Sequence, residues 1–159
     1  MKPTITALLS FFLLQFSFIS CRYEEGPLLS LRGVQSRLEG QYSVKYLFIN
    51  GGDSTEAYVE KCGGYFLFDF HSSINLYNCK SLNGVGEMDG NYNFLNRNNH
   101  LEIRFHHPPA SGDYIIGFGP FIYSVTTTWD IKRLTNHEII LETTYQSDNY
   151  RLQLKKFYY

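Results

Sequence analysis

Tyr65-Phe66-Leu67-Phe68-Asp69-Phe70-His71-Ser72-Ser73-Ile74-Asn75-Leu76-Tyr77-Asn78-Cys79 is the stretch on which the reading of the fold turns. Two runs alternate around a polar centre, and a period of two puts successive side chains on opposite faces of a strand. Phe66, Phe68, Phe70, Ile74 and Leu76 then share one face, and His71-Ser72-Ser73 makes the turn of an antiparallel hairpin. Asp69 falls on the opposite face, where an exposed carboxylate is the simpler expectation.

The same period continues on both sides of the hairpin. In Tyr42 to Ile49, residues Tyr42, Val44, Tyr46 and Phe48 alternate with Ser43 and Lys45, and Asn50-Gly51-Gly52-Asp53-Ser54 stops the strand. Gly86 to Leu95 reads as a strand carrying Tyr92 and Phe94. Asn96-Arg97-Asn98-Asn99 then turns the chain into Leu101, Ile103 and Phe105. Phe121 to Arg133, Glu138 to Tyr145 and Tyr150 to Phe157 complete the set. Roughly eight strands joined by short turns, with no helical pattern beyond a turn or two, predict an all-β, eight-stranded antiparallel up-and-down barrel. Closure removes exposed sheet edges. A two-sheet β-sandwich satisfies the same pattern.

Lys2 is followed by an uncharged apolar run through Ser20, the pattern of a signal peptide. Its end, Phe18-Ile19-Ser20-Cys21, resembles the lipobox of bacterial lipoproteins, which implies cleavage before Cys21 and acylation of that cysteine with palmitate-type chains. Such chains anchor at roughly 0.8 kcal/mol per buried methylene, enough to hold a protein to a membrane. The alternative is an uncleaved N-terminal anchor, because the run lies near the lower length limit of a spanning helix. The expected organisation is a signal peptide at 1–20, a lipidated tether at 21–35 and one β domain at 36–159. Arg22 after the cysteine, and Glu24 and Glu25 in the tether, resemble the sorting signals of outer-membrane lipoproteins, periplasmic or surface-facing.

The formal net charge is −1, with no basic stripe, which argues against a nucleic-acid partner. With Cys21 lipidated, Cys62 and Cys79 remain as a pair in an oxidising compartment, and a disulfide is the default over two free thiols. The five histidines stand beside predicted turns, without zinc-protease spacing. His106 and His107 are strand neighbours that point apart, a poor start for a metal site with Asp113. No nucleophile elbow, phosphate loop or dinucleotide fingerprint occurs, so the reading is of a non-enzyme with no metal or cofactor.

Three short stretches resemble the lipocalin-like (calycin-type) lipoproteins of Gram-negative bacteria: Arg37 to Val44, Gly90-Asn91-Tyr92-Asn93-Phe94, and Trp129 to Thr135. Where that family carries Gly-x-Trp, this chain has Gly40-Gln41-Tyr42. The resemblance implies that Tyr42 plugs one end of the barrel, and that the interior takes a small apolar ligand or a lipid. An eight-stranded barrel is just wide enough to be filled by side chains or to hold one such ligand. Thirteen Tyr and thirteen Phe suit either outcome. Tyr42, Trp129, Tyr114 and Phe118 are the candidate ligand contacts, the last two lying in the long connection from His106 to Pro120. That connection reads as a lid, as a rim for a partner, or as chain tucked back into the core. Two functions stay open: a membrane-anchored binding barrel, or a filled barrel that docks to another envelope protein.

Overall fold

Short-range alternation is realised as a single closed sheet. The computed structural model describes residues 33–61, 66–81, 84–106, 119–122 and 124–157, of which 61, 66, 77–81 and 84–88 are described in backbone only. In chain order the elements are α1 (Val34–Leu38), β1 (Gly40–Ile49), β2 (Gly52–Asp53), α2 (Thr55–Lys61), β3 (Phe66–Phe70), β4 (Ile74–Ser81), β5 (Gly84–Leu95), a 3-10 turn (Asn96–Asn98), β6 (His100–Phe105), β7 (Thr126–Leu134), β8 (Glu138–Tyr145) and β9 (Asp148–Lys156). From β3 onward each strand pairs antiparallel with the next, and β1 pairs with both β3 and β9, closing an eight-stranded barrel. Strand β2 only extends the tip of β1. The barrel is the predicted architecture; closure on β9 excludes the sandwich.

The hairpin forms as read, with Phe68↔Leu76 and Phe70↔Ile74 in register and all four side chains buried inside the barrel. Its turn is closed by the His71 amide donating to the Ser73 carbonyl at 2.9 Å. Asp69 does face away from those rings, yet it is only 8% exposed, not the open carboxylate expected. Gln41 Nε2 donates to it at 3.0 Å and the His71 ring lies against it, so neighbours on the outer surface cover it.

Register shifts in β1 and β7 reset the alternation, and a further one falls in β4 between Asn78 and Lys80. In β1, Val44 faces Leu154 while Tyr46 faces Gln153, which makes Lys45 an extra residue. Tyr42 and Val44 point inward before it, and Leu47 and Ile49 after it; Tyr46 is turned outward and is 40% exposed. The predicted single face of Tyr42, Val44, Tyr46 and Phe48 is therefore broken at its middle. In β7, a shift between Ile131 and Arg133 brings Leu134 into the core. The strand expected from Phe121 begins only at Thr126. Ser124 at φ 64° takes the chain out of extended geometry, and this lets Phe121 drop into the interior, fully buried.

Helix α1 was read as tether and domain edge. A five-residue helix has too few backbone bonds to persist alone. Here Val34, Arg37 and Leu38 are buried and pack it across one end of the barrel, so the folded unit already includes Val34. Three contacts fasten it. Arg37 Nη1 donates to the Leu134 carbonyl at 3.0 Å, Tyr42 Oη donates to the Arg37 carbonyl at 2.8 Å, and Lys156 Nζ donates to the Glu39 carbonyl while lying 5.6 Å above the Tyr42 ring.

Gly90 marks the tightest approach in the wall. A Cβ there would stand 2.2 Å from the Arg104 carbonyl oxygen and 2.9 Å from Phe105 Cα, both backbone atoms that cannot swing aside. Gly90→Ala is expected to destabilise the fold by about 3 kcal/mol, the upper part of the overpacking range, read as a lowered urea midpoint. An unchanged midpoint would show that β5 and β6 can separate freely at this point.

Candidate functional site

The two ends of the barrel differ in what their inward side chains offer. At the closed end and through the middle, rings stack in sequence. Trp129 lies on Phe121 at 5.4 Å, Phe121 meets Phe68 at 5.5 Å, Phe68 meets Phe70 at 6.1 Å, and Phe70 meets Tyr42 at 5.9 Å and Tyr92 at 5.6 Å. Contacts of this kind contribute about 0.5–1.5 kcal/mol each beyond burial. Tyr42 and Trp129 are both fully buried in this set. Their polar atoms are used internally, Tyr42 Oη on the Arg37 carbonyl and Trp129 Nε1 on Thr127 Oγ1 at 3.0 Å. The structure thus places these two candidate contacts in the packed core and does not bring them to an accessible surface. Tyr114 and Phe118 lie outside the described residues, as do Cys21, Cys62 and the side chain of Cys79.

Toward the opposite end the inward positions carry hydroxyls. Tyr145 on β8, Tyr150 on β9 and Tyr58 on α2 border the core there, and Tyr150 shares a hydrogen bond with Tyr58. Helix α2 is set by short-range chemistry. Asp53 Oδ1 accepts from the Thr55 amide at 2.9 Å and from the Thr55 hydroxyl, which holds the Asp53 carboxyl below its ordinary pKa. Thr55 Oγ1 in turn accepts from the Leu47 amide at 2.8 Å, and the Leu47 carbonyl accepts from Ser54 at 2.8 Å, fixing the helix start to β1. The tips of two hairpins are tied by Asn50. Its side chain donates to Asp148 at 2.7 Å and accepts from the Asn149 amide at 2.9 Å.

The returning limb of the β6–β7 connection meets this rim at Gly119, at φ 55°. A Cβ there would stand 2.9 Å from Tyr150 Oη. Only a glycine lets this backbone lie so near the phenol. On the outer surface, Phe48, Arg151, Glu142, Asp130 and His100 form one cross-strand row that runs from this end across the tilted wall to the start of β6. The row floors part of an open groove of about 560 Å³. Arg151 pairs with Glu142, and His100 Nδ1 lies 2.7 Å from Asp130. These pairs balance one another and hold the wall; exposed pairs of this kind contribute about 0–1 kcal/mol. Among the described residues, no three His, Cys, Asp or Glu side chains are grouped to hold a metal, and no helix is long and apolar enough to cross a membrane.

Tyr58, Tyr145 and Tyr150 were not singled out from the sequence. Alternation in Glu138 to Tyr145 and Tyr150 to Phe157 does place Tyr145 with Ile139 and Leu141, and Tyr150 with Leu152 and Leu154, which was a usable signal. Tyr58 had none, because the segment after Ser54 shows no strand period.

No family model and no curated protein matches the sequence. Among solved structures, the chain is similar to a lipocalin-like protein from Bacteroides uniformis, at a TM-score of 0.53 and 17% identity over 76% of this chain and 99% of that one. It is also similar to an uncharacterised protein from Bacteroides eggerthii, at 0.50 and 14% over 75% and 98%. The fold is lipocalin-like.

Two predictions follow the burial of these groups. Thr127→Val removes the acceptor of Trp129 Nε1, and an orphaned buried donor costs about 1–3 kcal/mol. Urea unfolding followed by the emission of this single tryptophan is expected to shift to lower denaturant. No shift would mean that water replaces the hydroxyl. Burial, then the Asp148 carboxylate, pushes the Tyr150 phenol up against the opposing Tyr58 bond; burial likewise raises Tyr92. A raised phenol keeps its proton in the folded chain at a pH where the unfolded chain has lost it. Stability is then fully present below a pH of about 10 and falls above it. Thermal midpoints are expected to drop across that range, less steeply in Tyr92→Phe/Tyr150→Phe.

Proposed function

We propose that the protein is a membrane-anchored, non-catalytic binding module that takes a small apolar or amphipathic molecule, or a lipid, at the end of the barrel opposite α1. The observation that carries this is the change in the inward face, from stacked rings and aliphatics around Tyr42 to the hydroxyls of Tyr58, Tyr145 and Tyr150. Small-molecule sites are mostly apolar concavities with a few placed polar groups, and this end supplies both kinds of surface. The lipocalin-like fold is in keeping with a carrier. The anchor belongs to the same reading: cleavage before Cys21, acylation there, an outer-membrane location and a Cys62–Cys79 disulfide in an oxidising compartment.

A second reading has its own support. Trp129, Phe121, Phe68, Phe70 and Tyr42 are each fully buried, so the described interior is packed by the protein's own rings. A barrel filled to its mouth would serve as a rigid interaction protein of the cell envelope.

Native mass spectrometry of the mature protein, compared with its denatured mass, separates the two. Retention of a small molecule, weakened in Tyr150→Phe and Tyr145→Leu, is the expected result; a bare mass from membrane-extracted and detergent-exchanged protein alike would favour the filled barrel. The denatured mass is also expected to carry acyl chains that Cys21→Ala lacks. An unacylated wild-type mass would remove the lipoprotein assignment while leaving the binding site untouched.

A further inference from the structure

We propose that the closed end of the barrel rests against anionic lipid headgroups, so that the open end points away from the membrane; this depends on the anchor at Cys21. Gly33, the residue before α1, stands at the closed end, so the chain enters the domain there. Length alone does not fix the orientation. The span from Cys21 to Gly33 reaches about 40 Å when extended at about 3.3–3.6 Å per residue. Strands of nine or ten residues, tilted in the wall, make a barrel roughly 25 Å tall.

Surface chemistry decides it. Among the described residues, the closed end carries Arg97 in its 3-10 turn, Arg133 near the end of β7, and Lys155 and Lys156 at the end of β9, against Glu39, Glu138 and the largely covered Asp69, a small basic excess. The other end carries Asp53, Glu56 and Glu60 around α2 and Asp148 in the last hairpin tip, against Lys61 at the end of α2, an acidic excess. The domain is therefore polarised along its axis, and a negatively charged bilayer surface attracts the first end and repels the second. Apolar exposure has the same bias. Three large hydrophobic side chains are exposed among the described residues, and two of them, Leu95 at 37% and Phe157 at 43%, are at the closed end. They stand on opposite sides of it, at the end of β5 and just after β9, and give it two apolar feet between basic groups. The third, Tyr46, lies on the side wall.

The test uses the acylated mature protein in phosphatidylcholine vesicles with and without phosphatidylglycerol. A fluorophore is attached through an encoded azide at Ser72, in the closed-end β3–β4 turn, or at Ser147, in the open-end β8–β9 turn, with a lipid-headgroup dye as acceptor. Energy transfer is expected to be several-fold higher from position 72 than from position 147, and to rise with phosphatidylglycerol. In Leu95→Ser/Phe157→Ser/Arg97→Glu/Lys155→Glu the difference between positions is expected to shrink while the protein still floats with vesicles. Equal or reversed transfer in a wild type that floats overturns the orientation alone. A wild type that does not float, or a Cys21→Ala form that floats as well as wild type, overturns the anchor, and the orientation with it.

Discussion

The burial of Tyr42 against α1 is the interaction on which the rest depends. A barrel closed by β1 and β9 still has two open ends, and an apolar interior open at both would admit water. At one end the chain lays a helix across the opening and fixes it with Arg37 and Lys156, which join elements far apart in sequence, and with Tyr42 of the adjoining β1. The Arg37 guanidinium and the Tyr42 phenol are buried and so obliged to find partners, while Lys156 bonds from the surface. The Leu134 carbonyl takes the guanidinium, the Arg37 carbonyl takes the phenol, and the phenol ring lies under the Lys156 ammonium. The stretches Arg37 to Val44 and Trp129 to Thr135 thus meet at one place, through Arg37 and Leu134.

Sealing one end gives the molecule an axis. Rings from β1, β3, β5 and β7, with Phe121, fill the interior from the seal toward the middle, and hydroxyl groups border the other end. The outer surface follows the same axis in its charge. The phenols of Tyr58, Tyr145 and Tyr150 gather at the rim made by α2, the β8–β9 hairpin and the limb at Gly119.

Much of this was legible in alternation. The Tyr65 to Cys79 hairpin and the strands after it follow from a period of two and from polar turns; a sandwich fits the same pattern as the preferred barrel, and the pairing of β1 with β9 decides between them. The bulge at Lys45 was not, because an extra residue in one strand is a property of its pairing with β9, and Lys beside Tyr reads equally well in an unbroken strand. Helix α1 was hidden for a similar reason: its stability is tertiary. Asp69 was assigned to the correct face, but the cover supplied by Gln41 and His71 depends on how β1 lies beside β3. Of the candidate contacts, Tyr42 lies buried against α1 and Trp129 lies in the core; the tyrosines of the rim emerged only when β8, β9 and α2 were brought together.

The most direct test of a barrel sealed at one end and receptive at the other is chemical-shift mapping during titration with a short-chain fatty acid. The perturbations are expected to cluster at Tyr58, Tyr145, Tyr150 and Gly119 and to spare Arg37, Tyr42 and Lys156. Perturbations centred on Tyr42 and α1, with the tyrosine rim unmoved, would contradict the account.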